Sequence, residues 1–177
     1  MDPLSLFFVQ RANFIDELPL FGKMQLKIIP FESKHAVDFK TLNLAWLEQY
    51  FYVEEKDKIL LSDCENAIVN KGGYIFMAEY NNTIVGCFSL LPYKDKNFEL
   101  GKMAVDASYH GLQFGQQLLS FAIEFAKEQH WEIITLYSST KLPAALHIYR
   151  KYGFRDVELE NNLPYERSDV KMELSLN

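Results

Sequence analysis

The chain has 177 residues, 49% of them hydrophobic and 24% charged, which suits one folded domain rather than a disordered or fibrous chain. Acidic residues outnumber basic ones 24 to 18 and no Lys/Arg cluster is present to displace counterions, so nucleic acid is not an expected partner. Two distant cysteines, Cys64 and Cys87, and four histidines without ligand spacing exclude a disulfide scaffold and give no expectation of a metal site.

Residues 1–24 read as an apolar-leaning extension broken by Pro3, Pro19 and Gly22, expected to lie on the domain or on a partner subunit; a homodimer is therefore an expected assembly. The extension lacks a positive flank, and no stretch approaches the roughly 20 apolar residues of a membrane span. Neither a leader nor a membrane partner is expected, and the expected location is cytoplasmic.

The domain is expected over residues 25–177. Alternation at Leu26 and Ile28 predicts a first strand over 25–31, ending near Pro30. Ser33 is placed to cap a helix that buries Ala36, Val37, Phe39, Leu42, Leu44, Ala45, Trp46 and Leu47. A second helix is expected over 56–61. After Gly72-Gly73, two apolar runs, 74–80 and 83–91, flank Asn81-Asn82, a dipeptide that tolerates positive φ and predicts a two-residue hairpin. Pro92 is expected to stop the second run, and a third strand follows over 98–105. The pattern then changes to a loop at 106–114, a helix at 115–130 burying Leu118, Leu119, Ala122, Phe125 and Ala126, and a strand at 133–137. Strand, loop, helix, strand is a βαβ unit, so the strands around Met103 and Leu136 are expected to be parallel. Pro143 opens and Gly153 closes a last helix, and strands near 154–159 and 170–176 complete a mixed sheet.

The loop Tyr109-His110-Gly111-Leu112-Gln113-Phe114-Gly115 is the most informative segment. Free backbone N–H groups and the positive end of a helix macrodipole make a strand-to-helix junction an anion site, and glycines let the backbone approach a pyrophosphate closely. The spacing alone also fits a plain tight turn. A P-loop would need G-K-[ST] at the helix start, where Gly115 is followed by Gln116-Gln117, and the glycines do not match the G-x-G-x-x-G dinucleotide fingerprint.

The stretch from Glu99 to Gly115 resembles the acetyl-CoA motif of the GNAT superfamily of N-acetyltransferases, in which a strand ending in apolar-x-V leads to Q/R-x-x-G-x-G/A at a helix start. Ala145-Leu-His-Ile-Tyr149-Arg-Lys-Tyr-Gly153-Phe154 is similar to the family's second signature, A-x-x-x-Y-x-x-x-G-F. His110 stands where the family usually has Gln or Arg, and Gln113 where it usually has Gly. Ser138-Ser139-Thr140 replaces the family's Asn after the fifth strand.

This resemblance implies a single-domain α/β (α+β) GNAT fold: a mixed, mostly antiparallel sheet of six to seven strands with a splayed parallel pair, flanked by about four helices. It implies acetyl-CoA as cosubstrate without a metal, and direct acetyl transfer to the primary amine of a small metabolite or amino acid. The alternatives are a protein lysine or N-terminal acetyltransferase, and a non-catalytic acyl-CoA-binding module. The implied cofactor-binding residues are Met103, Ala104 and Val105 on the strand, His110, Gly111, Leu112, Gln113, Phe114, Gly115 and Gln116 in the loop, and Ser139, whose hydroxyl bonds the cofactor or caps the next helix. A residue at 113 must either avoid a Gly-type conformation or accept about 1 kcal/mol of strain.

Transfer needs a base for the amine, a donor for the developing oxyanion and an acid for the thiolate. Tyr149 matches the tyrosine that the family often uses as the acid; otherwise it is a core tyrosine. Glu99, sharing a strand face with Gly101 and Met103 by the two-residue period, is the candidate base or else a surface acid paired with lysine. Lys102 is expected on the opposite face, serving packing or solubility. Arg167 is a candidate clamp for a substrate carboxylate or a surface ion pair.

Overall fold

The computed structural model describes residues 25–176; the expectations for residues 1–24 lie outside it. Seven strands form one sheet in the order β1-β2-β3-β4-β5-β7-β6: β1 Lys27–Pro30, β2 Tyr74–Tyr80, β3 Thr83–Lys94, β4 Asn97–Val105, β5 Ile133–Ser138, β6 Arg155–Val157 and β7 Val170–Ser175. Every neighbouring pair is antiparallel except β4 and β5. Five helices flank the sheet: α1 Ala36–Tyr50, α2 Glu55–Ser62, α3 Cys64–Ala67, α4 Phe114–Glu128 and α5 Pro143–Lys151. The one beyond the expected four is α3, a single turn.

Period-two alternation divides the core between the two sheet faces. Phe76, Ala78, Phe88 and Leu90 pack with Leu118, Ala122 and Phe125 of α4, while Ile75, Met77 and Cys87 pack with Phe39 and Leu47 of α1 and with Leu60 and Leu61 of α2. The five residues expected to anchor α4 are all buried. On α1 the apolar expectation was too broad, since only Phe39, Asn43 and Leu47 are buried and Val37 lies 73% exposed. No helix of the described residues is long and apolar enough to cross a membrane.

Local chemistry sets the ends. Asn81 and Asn82 adopt φ of 53° and 60°, the primed-turn geometry of a two-residue hairpin. Ser33 does not cap α1. A 3₁₀ turn over Ser33–His35 precedes it, Glu32 and His35 exchange side-chain and backbone hydrogen bonds there, and the Ser33 hydroxyl donates to Glu65. Nor does Pro92 end β3, which runs on to Lys94. Pro92 stands opposite Phe98 beside a register shift, a place where a missing N–H is tolerated. The α4 helix stops at Glu128 because His130 turns left-handed, at φ 57°.

Helix α5 ends in a complete Schellman motif, with Gly153 at φ 94°, its N–H bonding Arg150 O at 3.0 Å and the Phe154 N–H bonding Tyr149 O at 3.1 Å. The Phe154 ring closes on Tyr149, 5.9 Å between centroids. The A-x-x-x-Y-x-x-x-G-F pattern is thus a helix terminus that fixes Tyr149 in place.

Candidate active site

The parallel pairing of β4 and β5 lasts three residues, Asn97–Glu99 against Ile133–Thr135, although β4 continues to Val105 and β5 to Ser138. Beyond Glu99 the strands are no longer ladder partners, and a cleft of about 630 Å³ runs through this region. Met103, Ala104 and Val105 line it from β4, and Tyr137, Ser138 and Ser139 from β5 and the residue beyond it. Gly111, Gln113, Phe114 and Gly115 line it from the loop, Tyr149 from α5, and Glu99 and Tyr165 lie along the same cleft.

In the loop, the backbone N–H groups of His110, Leu112 and Gln116 are taken by Ala107 O, Tyr109 O and Gln113 O. Those of Gly111, Gln113, Phe114 and Gly115 have no partner among the described residues. A side-chain methylene at Gly111 or Gly115 would meet nothing within 4 Å, so space stands open where these amides lie. Four free N–H groups at a helix start with open space beside them fit a diphosphate.

Gln113 takes the strained alternative. It is left-handed, at φ 60° and ψ 20°, with an exposed side chain that makes no capping bond. Replacing Gln113 with Gly is expected to stabilise the fold by about 1 kcal/mol, read as a higher Tm, because the left-handed penalty exceeds glycine's entropic cost. An unchanged or lower Tm would show that the turn carries no strain.

Of the other loop residues, His110 and Gln116 line the cleft and Leu112, its side chain half exposed, does not. His110 Nε2 lies 3.3 Å from Val105 O, and a carbonyl only accepts, so Nε2 carries the proton and the ring ties the loop to the end of β4. After β5, none of Ser138, Ser139 and Thr140 caps α5, whose N-cap residue Leu142 has no side-chain cap bond. Ser139 Oγ accepts from Lys141 N, and Thr140 binds Asp169.

Tyr149 is partly buried on the cleft wall, and burial pushes its phenol up to about 12. Its hydroxyl has no hydrogen-bond partner among the described residues. Glu99 is buried; Oε1 accepts from the Tyr165 hydroxyl at 3.2 Å, and Oε2 lies 3.9 Å from Lys56 Nζ.

The expected face assignment on β4 fails beyond Gly101. Ser89 pairs with Gly101 and Cys87 with Ala104, so Phe88 opposes two residues in a bulge, and Lys102 is left-handed at φ 49°. The extra residue resets the alternation. Lys102 lies on the Glu99 side, and Met103 joins the opposite core with Leu100.

Lys102 is therefore not a solubility residue. Its ammonium pairs with Asp57 Oδ1 at 2.8 Å, and both side chains are almost wholly buried. Arg167 meets the same carboxylate, with contacts of 2.6 Å to Oδ2 and 3.1 Å to Oδ1, and reaches Glu54 at 2.9 Å. Both terminal guanidinium nitrogens are thus engaged internally, and the side chain is only 11% exposed. Burial alone would raise Asp57, but Arg167 and Lys102 together hold its carboxyl below the usual carboxylate range. Burial, with the Arg167 charge nearby, draws Lys102 below the usual ammonium range against the opposing pull of the Asp57 carboxylate.

Sequence reasoning gave no role at the site to Asp57, Lys56, Tyr165 or the aromatic residues Trp46, Tyr50 and Phe51, of which all but Lys56 line this cleft and Lys56 borders it beside Glu99. They come from α1, α2 and the segment before β7, with no short spacing to join them. One signal was available: a lysine inside the apolar strand Leu-Gly-Lys-Met-Ala-Val demands a buried partner. Among the described residues, no group of three or more His, Cys, Asp or Glu is placed to hold a metal ion.

A model of the acetyltransferase (GNAT) family matches residues 40–154. The chain belongs to this family. Relatives include rat N-acetyltransferase 8F1, 27% identical over 100 residues, covering 54% of this chain and 45% of the relative. Human N-acetyltransferase 8B is 26% identical over 110 residues, covering 59% and 48%. The chain thus spans about half the length of these curated relatives. Among solved structures, a GNAT acetyltransferase from Staphylococcus aureus Mu50 superposes with a TM-score of 0.77 at 25% identity, covering 86% of this chain and all of that one. The spermidine N-acetyltransferase of Vibrio cholerae, solved with CoA and spermine, shares the fold with a TM-score of 0.68 at 18% identity, covering 86% and 96%.

Proposed function

We propose that this GNAT chain transfers acetyl from acetyl-CoA to the primary amine of a small metabolite or amino acid. The observation that carries the reading is the splayed β4–β5 pair. One cleft joins four unpartnered loop amides to a protonated phenol, Tyr149, and a buried carboxylate, Glu99. The Vibrio cholerae enzyme, on the same fold, is a spermidine N-acetyltransferase.

Acetyl-CoA would supply an activated acyl group as a thioester. The amides of Gly111, Gln113, Phe114 and Gly115 hold its diphosphate, and Met103, Ala104 and Val105 lie along its pantetheine arm. Glu99 receives a proton from the acceptor ammonium, directly or through water, freeing the nitrogen lone pair. Tyr149 gives its proton to the departing sulfur and recovers one from the second proton lost by the acylated nitrogen, so the proton taken by Glu99 is the one that leaves to solvent per turnover. Trp46, Tyr50 and Phe51 form an aromatic wall for the body of the acceptor. Arg167 shapes that end through Glu54 and Asp57 in place of the carboxylate clamp expected of it.

Saturating CoA or acetyl-CoA is expected to raise Tm by roughly 5–10 °C, as for a ligand near a hundred times its Kd. A Gly111→Val variant, forced into a left-handed turn and filling the cradle, should lose most of that shift. A panel of small amines should then release free CoA. Absence of any shift in the parent chain would overturn the reading. A shift without CoA release on any amine would leave only an acyl-CoA-binding module.

A further inference from the structure

The acceptor end of the cleft contains a buried relay that the catalytic assignment leaves unused. Lys102 Nζ donates to Asp57 Oδ1 at 2.8 Å and to the Tyr165 hydroxyl oxygen at 3.1 Å, and that hydroxyl donates to Glu99 Oε1 at 3.2 Å. Chemistry fixes its direction. An ammonium only donates, so the phenol oxygen receives from Lys102, and its single proton goes to Glu99. Oε1 already accepts the phenol proton, whereas Oε2 accepts no hydrogen bond among the described residues and has Lys56 Nζ 3.9 Å away, so Oε2 is the less engaged oxygen and the one assigned to take up a proton.

The arrangement is costly to build. Lys102 sits at φ 49° in a bulge, its side chain is 4% exposed, and Tyr165 is 5% exposed. Left-handed backbone and buried charge persist only where the surroundings over-determine them. Docking the segment before β7 does not explain the phenol oxygen. Arg167 and the backbone N–H groups of Glu166 and Arg167 already fasten that segment to Glu54 and Asp57. The Tyr165 ring also carries Lys56, Lys102 and Arg167 within 4.6 Å of its centroid, contacts a phenylalanine would keep.

We propose that Tyr165 is a positioning residue for acetyl transfer: held by Lys102 on Asp57, its hydroxyl fixes the Glu99 carboxylate and reserves Oε2 for the acceptor's proton. This rests on the reading of Glu99 as the base. In the step it serves, an N–H bond of the acceptor ammonium breaks, an O–H bond forms at Oε2, and the freed nitrogen pair attacks the acyl carbon. The charged and titratable groups around Glu99 are Lys56 and Asp57 from α2, Lys102 from β4, and Tyr165 and Arg167 from the segment before β7. Thr135 of β5 stands opposite it in register.

The test is a double-mutant cycle on the full chain, with melting and acetyl-CoA affinity measured alongside turnover. Glu99→Gln should lower kcat about a hundredfold and Tyr165→Phe about tenfold, with acetyl-CoA affinity within about twofold. Tyr165→Phe in the Glu99→Gln background should cost no more than about twofold further, because the phenol acts through a carboxylate no longer there. A ring-fluorinated tyrosine at position 165, a stronger donor of the same shape, should move the acid limb of kcat/KM to lower pH. A harmless Glu99→Gln would remove the base, and this proposal with it. A damaging Glu99→Gln whose loss simply multiplies with that of Tyr165→Phe would leave the base standing and overturn the proposal alone. If Tyr165→Phe does not fold, the fluorinated residue decides, and an unmoved limb overturns it.

Discussion

Tyr149→Phe is expected to lower kcat about a hundredfold while acetyl-CoA affinity stays within about twofold, a loss at the lower end of what a positioned general acid contributes. Burial pushes the phenol to about 12, with two consequences. The hydroxyl keeps its proton through the whole neutral range, so the acid form is always present and no alkaline limb near neutrality comes from it. The same shift makes it a weaker acid than one matched to the working pH. In the proposed role its help would lie in donating to sulfur as negative charge develops there, and this argues for the smaller factor. Stability should barely change, because the hydroxyl has no partner to lose among the described residues and the ring contact with Phe154 survives. Single-turnover kinetics and titration calorimetry separate the two effects. Turnover equal to the parent's would make Tyr149 a core residue that happens to face the cleft.

What was legible in the sequence follows physical range. Elements whose cause is local were placed within a few residues: the Asn81-Asn82 hairpin, the apolar stripe of α4, and Pro143 and Gly153 at the ends of α5. The loop was legible for the same reason, since glycine spacing between a strand and a helix acts through its own backbone. Its family motif was recognisable despite His110 and Gln113. The parallel pair was a topological consequence of the βαβ order, and the structure contains it.

What failed depended on contacts distant in sequence. Pro92 was read by its intrinsic preference, but a register shift against Phe98 accommodates it. Lys102 and Met103 were assigned by strict alternation, which the bulge opposite Phe88 shifts by one. That misassignment also hid Asp57, because nothing then required a buried partner for the lysine. Arg167, expected as a carboxylate clamp or a surface pair, lines the cleft with its guanidinium engaged by Asp57, 110 residues away in sequence. The end of the cleft proposed for the acceptor is assembled from α1, α2, β4 and the segment before β7, so no window of sequence contains it.

Asp57→Asn should be the most destabilising single substitution at this site, by about 3–5 kcal/mol, or roughly 10 °C in Tm for a domain of this size. The carboxylate is wholly buried and pairs with both Lys102 and Arg167, Glu54 supplying the second negative charge. Asparagine keeps the volume but removes the ion-pair partner of a lysine side chain that is 4% exposed, leaving Glu99, beyond the Tyr165 hydroxyl, as the negative charge nearby. Arg167 retains Glu54, so the loss should fall mainly on Lys102 and on the bulge that carries it. Adding Lys102→Met to Asp57→Asn should therefore recover at least half the stability, since an apolar side chain needs no partner there. The pH dependence has a defined sign. Asp57 is held below the usual carboxylate value in the fold, so its contribution is complete above that value and is lost as pH falls through the depressed folded one. The parent's acid unfolding should thus include a component that Asp57→Asn lacks, and chemical denaturation of both proteins at neutral and acid pH would measure it. Equal stability of the two at neutral pH would mean that Lys102 is held by its other contacts. The geometry of Tyr165 and Glu99 would then not depend on the Asp57 carboxylate.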